Sequence, residues 1–215
     1  MALRFIFFDT ETTGTFAGRD RIIEIAAFDP LKGKTFEMLI NPGIPIPKDA
    51  TFVHKITDEM VQQAPSFKEV ASKFLEFCSG DVALIAHNNI AFDKPFLQAE
   101  MKRADLFIPT EWLFIDSLVW ARRYRKDLPR HSLQYLRQIY GIKENQAHRA
   151  LNDVMVLYEV FCCMTDDLSP EEIHRLLVKA GLGVRQTQAE TVQQPSTQVE
   201  PRFVPKEQVS YSLCS

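Results

Sequence analysis

The sequence offers nothing for a disulfide or zinc framework. Its four cysteines, Cys78, Cys162, Cys163 and Cys214, show no paired metal-ligand spacing, and the first three fall within helical apolar patterns. They read as small core residues in a reducing, cytoplasmic compartment. No long apolar run is present either. The start, Leu3-Arg4-Phe5-Ile6-Phe7-Phe8, is too short for a signal peptide or a membrane span and runs into acids, so no membrane partner is expected. Positive charge is not in excess: the net charge of −3 argues against a general nucleic-acid coating protein. The cations present do cluster. Arg122-Arg123-Tyr124-Arg125-Lys126, followed by Arg130-His131, forms a basic patch suited to phosphates and a stacked base, or equally a solvated helix end whose cations complement the dipole.

What the chain does hold is acid in apolar settings. Leu3 to Phe8 reads as a central strand covered on both faces. Side chains two apart on a strand share a face, so Asp9 and Glu11 point one way and Thr10 the other. Two carboxylates so placed repel and drive one pKa up, unless a bound divalent cation lets both ionise. Oxygen ligands of this kind suit magnesium or manganese. An isolated Asp-x-Glu is also what a strand ending in a solvated acidic turn looks like.

Asp93 follows a short buried-strand pattern, Asp81-Val82-Ala83-Leu84-Ile85-Ala86, and precedes Phe96-Leu97 and Glu100-Met101 at helical spacing. It stands at a strand-to-helix junction, where α/β sheets place ligands, although an acid there also suits the helix dipole. His148 and Asp153 are five residues apart, or roughly 140° on a helical wheel, and cannot share a face if both are helical. With Asp153 inward on a helix through Val154, Leu157, Tyr158 and Phe161, His148 belongs to the turn before it. A lone histidine at a helix start is also a common capping residue.

The periodicity gives strands near 3–9, 22–29, 34–40, 82–87 and 111–115. Helices are read near 58–64, 66–79, 93–104, 117–125, 132–140, 149–165 and from Ser169 to about Gly181. Ser66 with Glu69, and Ser169-Pro170-Glu171-Glu172, supply N-terminal signals. Three strands followed by alternating helices and strands imply an α/β mixed sheet flanked by helices. The 215 residues, 46% of them hydrophobic, suffice for one substantial core with an appendage. From Val184 to Pro201 the composition turns to Gln, Thr, Ser, Glu and Pro, too polar to bury a core. The expected division is therefore a domain over 1–183 and a polar, disordered tail over 184–215. Alternating Val209, Tyr211 and Leu213 mark a possible docking segment near 203–213.

Taken in order, the blocks Asp9-Thr10-Glu11-Thr12-Thr13-Gly14, Asp20-Arg21-Ile22-Ile23-Glu24-Ile25-Ala26-Ala27, Val53-His54-Lys55-Ile56-Thr57-Asp58-Glu59, His87-Asn88 through Phe92-Asp93, and His148-Arg149-Ala150-Leu151-Asn152-Asp153 resemble the DEDDh 3′–5′ exonucleases. The likeness is greatest to the epsilon-type proofreading subunit of bacterial DNA polymerase III, and covers residues 3–165. It implies a ribonuclease H-like, five-stranded mixed sheet. It further implies two divalent cations, Mg2+ or Mn2+, held by Asp9, Glu11, Asp93 and Asp153, with His148 as the general base. Glu11, Thr12, Asp49, His54, His87 and Asn88 would bind substrate. The partners implied are single-stranded or frayed DNA 3′ ends and a DNA polymerase catalytic subunit. Trimming of RNA, or a non-catalytic nucleic-acid module, are the alternatives. Lys55 departs from the pattern, standing where a Gly is common beside His54.

Overall fold

The computed structural model describes residues 3–143 and 149–182. The expected docking segment and tail lie outside the described residues, as does His148. At the centre is β1 (Arg4–Thr12), buried from Arg4 to Phe8 because helices cover both sides of the sheet. β2 (Ile22–Asp29) pairs antiparallel with β1, and β3 (Lys34–Leu39) antiparallel with β2. β4 (Val82–Ala86) and β5 (Leu113–Asp116) continue the sheet in parallel from the other edge of β1, in the order β3-β2-β1-β4-β5. The mixed five-stranded sheet expected from the sequence is thus present. β1 runs three residues further than the apolar pattern suggested, so Asp9 and Glu11 are strand residues.

Eight helices among the described residues flank it: α1 (Lys48–His54), α2 (Asp58–Val61), α3 (Phe67–Phe77), α4 (Asp93–Arg103), α5 (Ser117–Tyr124), α6 (Leu133–Ile139), α7 (Ala150–Asp166) and α8 (Pro170–Lys179). Strand alternation sorts the core into two layers. Phe5 and Phe7 join Phe28, Ile115, Leu157 and Phe161 on the α7 face. Ile6 and Phe8 join Phe74, Phe96 and Leu97 on the α3–α4 face. Phe7 meets Phe161 and Tyr158 edge-on, with ring centroids 5.4 and 5.2 Å apart, a favoured aromatic geometry. α7 is thereby laid across β1 and β2, which carries its first turn to the carboxyl end of β1. Cys78 and Cys162 lie inside this apolar packing, as expected.

α3 opens with the capping box read from Ser66 and Glu69. α1 was not expected, since its residues Lys48-Asp49-Ala50-Thr51-Phe52-Val53-His54 lack an apolar repeat. Its signals are Pro47, with φ of −58° already near the helical value, and Asp49 in the first turn. It ends at Lys55, which has φ of +63° and donates its backbone N–H to the Thr51 carbonyl. A left-handed residue at a helix end favours glycine, which explains the glycine common at this place in the resembling family. The Lys55 ammonium lies over the Phe52 ring, 4.3 Å from its centroid. Removing the left-handed strain gains roughly 1–2 kcal/mol, while glycine's extra backbone freedom costs about 0.5–1 kcal/mol. Lys55→Gly is therefore expected to raise stability by roughly 0.5–1 kcal/mol in urea unfolding. A loss of stability would show that the ammonium–ring contact outweighs the strain.

Candidate active site

The end of β1 concentrates negative charge. Asp9, Glu11 and Asp153, from β1 and the first turn of α7, each bring a carboxylate oxygen within 4.8 Å of the others. Asp93 stands beside this trio, on the first residue of α4, and is buried. Burial and then the neighbouring Asp93, Glu11 and Asp153 carboxylates push Asp9 well above the usual carboxylate range. Burial, Asp153 and Glu24 push Glu11 up to about 8, against the pull of the Arg149 guanidinium. Asp93 is raised to about 7, chiefly by burial, despite accepting a hydrogen bond from Thr10. Three acids that hold their protons so strongly, with Asp153 beside them, fit divalent cations, which would replace those protons and bind hard oxygen donors. Structure and sequence agree that Asp9, Glu11 and Asp153 converge.

Asp93, Asp153 and the start of α7 are held by residues that sequence reasoning gave no role. Thr10, set aside because it points away from Asp9, donates its hydroxyl to Asp93 Oδ1 at 2.9 Å and thereby ties α4 to the back of the site. Gln134 on α6 donates to Asp153 Oδ1 at 2.9 Å and is itself oriented by Arg137 Nε, also at 2.9 Å. The strongest device is Glu24. It lies opposite Glu11 in the β1–β2 register, fully buried. It accepts from Arg149 Nη2 at 2.8 Å, from Arg149 Nε at 3.3 Å and from the Ala150 backbone N–H at 3.0 Å. This clamp fixes the start of α7, and the Asp153 N–H bonds back to the Arg149 carbonyl at 3.1 Å. The readable signal was a lone acid in the apolar run Ile22-Ile23-Glu24-Ile25-Ala26, since a buried charge demands a partner. Just after Glu11 the β1–β2 register shifts, a bulge that turns the chain into the following loop.

That loop and its neighbours carry the remaining candidates. The Thr12 hydroxyl donates to the Gly14 carbonyl. Gly14 lacks room for a side chain because an added Cβ would lie 2.3 Å from Asp20 Oδ2. Asp20 accepts from the Phe16 N–H at 2.9 Å, leaving the Phe16 ring 65% exposed. Asp49 is exposed on α1. His54 is buried, and its Nδ1 accepts the Ile56 N–H at 3.0 Å. His87 has both ring nitrogens engaged. Nε2–H donates to the His131 carbonyl at 2.7 Å, leaving Nδ1 to accept the Ser117 hydroxyl at 2.9 Å. Burial keeps this ring neutral by lowering its pKa. Asn88, at φ of +73°, is held through its N–H by Asp116 Oδ1 at 3.1 Å. His148 lies outside the described residues, directly before the clamped Arg149.

A family described as exonuclease, RNase_T, matches residues 6–161. The chain is 39% identical over 182 residues to the chloroplastic/mitochondrial exonuclease DPD1 of Arabidopsis thaliana, covering 77% of this chain and 57% of that protein. It is 41% identical over 166 residues to DNA polymerase III subunit epsilon of Treponema pallidum, covering 74% and 75%. Against PolC-type DNA polymerase III of Caldanaerobacter subterraneus it spans 13% of that protein, so several relatives are much longer. Among solved structures, the zinc-bound E. coli ExoI–ssDNA complex superposes with a TM-score of 0.72 at 20% identity, over 83% of this chain and 43% of that one. At that identity the likeness shows the fold. No helix among the described residues is long and apolar enough to cross a membrane.

Raised carboxylate pKa values set the sign of a pH effect. Between the unfolded value near 4 and the folded values near 7 and 8 of Asp93 and Glu11, the folded state holds more protons than the unfolded one. Stability of the metal-free protein is therefore expected to fall as pH rises from 5 to 8. Saturating Mn2+ should recover most at pH 8, and Asp9→Asn should melt higher than the parent without metal. Differential scanning calorimetry checks this, and a metal-free melting temperature that climbs steadily from pH 5 to 8 would contradict it. Glu24→Gln keeps the shape of the clamp but removes its charge, and should cost about 10²-fold in kcat with a smaller change in KM, as a misplacement of about 1 Å does. Unchanged kcat would show that the start of α7 holds itself.

Proposed function

The chain belongs to the DEDDh family of 3′–5′ exonucleases, and from that premise we propose that it is a metal-dependent exodeoxyribonuclease. It removes nucleoside 5′-monophosphates from single-stranded or frayed DNA 3′ ends and proofreads alongside a replicative polymerase. The observation that carries this reading is the convergence of Asp9, Glu11 and Asp153 within 4.8 Å, with Asp93 beside them. The choice of DNA, and of a polymerase catalytic subunit as partner, is supported by the 41% identity to the Treponema pallidum epsilon subunit over most of its length. We place the activity in the cytoplasm, in keeping with the free thiols of Cys78, Cys162 and Cys163.

Two divalent cations, Mg2+ or Mn2+, held by Asp9, Glu11, Asp93 and Asp153, would supply Lewis acidity toward the attacking and leaving oxygens of an in-line displacement. The chain's own groups do the rest. His148 takes a proton from the attacking water, within reach near pH 7 for a neutral imidazole. The bond from phosphorus to the 3′ oxygen of the penultimate nucleotide breaks, and the terminal nucleotide departs with its 5′ phosphate. The Thr12 backbone and Glu11 hold the terminal 3′ hydroxyl, and Asp49 and His54 face the terminal nucleotide. His87 forms the wall of the cleft rather than donating to the reacting phosphate, because both its ring nitrogens are bonded within the protein, and Asn88 lines the same cleft. The exposed Phe16 ring, two residues past Gly14, would lie against the last base.

Cleavage is expected to start at a free 3′ end, and faster when that end is unpaired, since each pairing step avoided saves roughly 1–2 kcal/mol. Digestion of labelled single-stranded, matched and mismatched DNA and of RNA with Mg2+ checks this. Circular single strands cut at the linear rate, or RNA preferred over DNA, would overturn the reading. His148→Ala should slow the single-turnover step at pH 7 by about 10²–10⁴, partly recovered at higher pH. A variant as fast as the parent would remove His148 as the base.

A further inference from the structure

Beside the carboxylates the structure holds a cleft of about 600 Å³, lined by Arg122 of α5, by residues 129–132 ahead of α6 and Leu133 at its start, and by His87 and Asn88. It lies past the carboxyl ends of β4 and β5, on the same edge of the sheet as the carboxylates. The basic run read from the sequence divides here. Arg125 is taken up by Asp127, at 2.9 and 3.0 Å, and lies against the Tyr140 ring. Arg123 lies over one face of the Tyr124 ring, which also packs against the core. Arg122 and Arg130 are left at the cleft, both exposed, and among the described residues neither has a carboxylate within 4.0 Å. Among the described residues, no acid lines the cleft.

Its walls are built in advance. His87 joins the Ser117 hydroxyl to the His131 carbonyl, and Asp116 holds the N–H groups of Asn88 and Ile90 at 3.1 and 3.0 Å. Pro129 and Leu133 add apolar surface. The cleft also borders the reaction centre. Gln134, next to Leu133, donates to Asp153 at 2.9 Å, and Asn88 leads by five residues into Asp93.

We propose that this cleft is a backbone subsite for the strand that is left behind. It takes a phosphodiester and sugar one or more nucleotides beyond the scissile bond, with Arg122 and Arg130 as phosphate contacts. The proposal rests on the exonuclease reading above. A nucleotide-sized volume, guanidinium forks suited to phosphate and continuity with the carboxylates favour nucleic acid over an acidic protein segment. The subsite also answers an electrostatic need: a chain of net charge −3 with an acidic centre must attract a polyanion somewhere else.

The test compares two substrates. One is a single-stranded DNA dodecamer. The other is the p-nitrophenyl ester of thymidine 5′-monophosphate, which has the scissile phosphate but no strand beyond it. In the double variant Arg122→Ala, Arg130→Ala, the ratio of kcat/KM for the dodecamer to that for the ester should fall about tenfold, through KM. The slope of log KM against log salt should become shallower by about 1.4, roughly 0.7 for each lost phosphate contact. Arg122→Lys with Arg130→Lys should restore most of the slope. Parental ratio and slope in the alanine variant overturn the proposal, and are also the outcome expected if the cleft serves an acidic peptide. If the parent hydrolyses neither substrate with Mg2+ or Mn2+, the exonuclease reading fails separately. Fluorescence anisotropy with a labelled dodecamer still decides the subsite, since equal affinity in parent and alanine variant would exclude it.

Discussion

Mutual repulsion among Asp9, Glu11, Asp93 and Asp153 is the constraint that the rest of the structure serves. At an effective dielectric of about 20, two unit charges 4–5 Å apart repel by roughly 3–4 kcal/mol, whereas a whole domain is stable by only about 5–15 kcal/mol. The protein cannot keep all four ionised unaided. Protons relieve the repulsion, and the cost of burying the charges, when nothing else does: burial first, then Asp153 and Glu24, lift Glu11 to about 8, and burial lifts Asp93 to about 7. Divalent cations relieve it with a use, because the charge that binds them is the charge that holds a phosphate in line.

Such a cluster needs a frame stiffer than itself. Strand β1 provides the first two acids on one face, and its edge-on aromatic contacts to α7 set that helix across the sheet. The other two are tethered individually: Asp93 by Thr10, and Asp153 by Gln134. Glu24 contributes differently. It adds negative charge near Glu11, yet its bonds to Arg149 and Ala150 bring a guanidinium with it. The clamp thus fixes the start of α7 and offsets part of the repulsion it adds to.

Much of this was legible in the sequence, for identifiable reasons. The apolar run before Asp9, the capping box at Ser66 and the alternation of elements each follow from short-range rules, and they gave the sheet and most helices. The shared face of Asp9 and Glu11 follows from strand geometry alone. The supports were not legible, because they depend on which strands become neighbours. Nothing local to Thr10 says that α4 will begin against it, nor that Glu24 will sit across from Glu11. α1 escaped because its stability comes from a preceding proline and tertiary contacts rather than from an apolar stripe. The basic run at 122–130 looked uniform until packing consumed Arg125 and left Arg122 and Arg130 open.

The most direct test is to count protons as the site fills. Mn2+ titrated calorimetrically into the metal-free protein at pH 7, in two buffers of different ionisation enthalpy, reports the protons displaced. If cations take over the role that protons hold in the carboxylate cluster, binding should release about one proton or more per chain, and Asp9→Asn should release fewer. Binding heats that do not depend on the buffer would contradict the account, because the acids would then be ionised already without their cations.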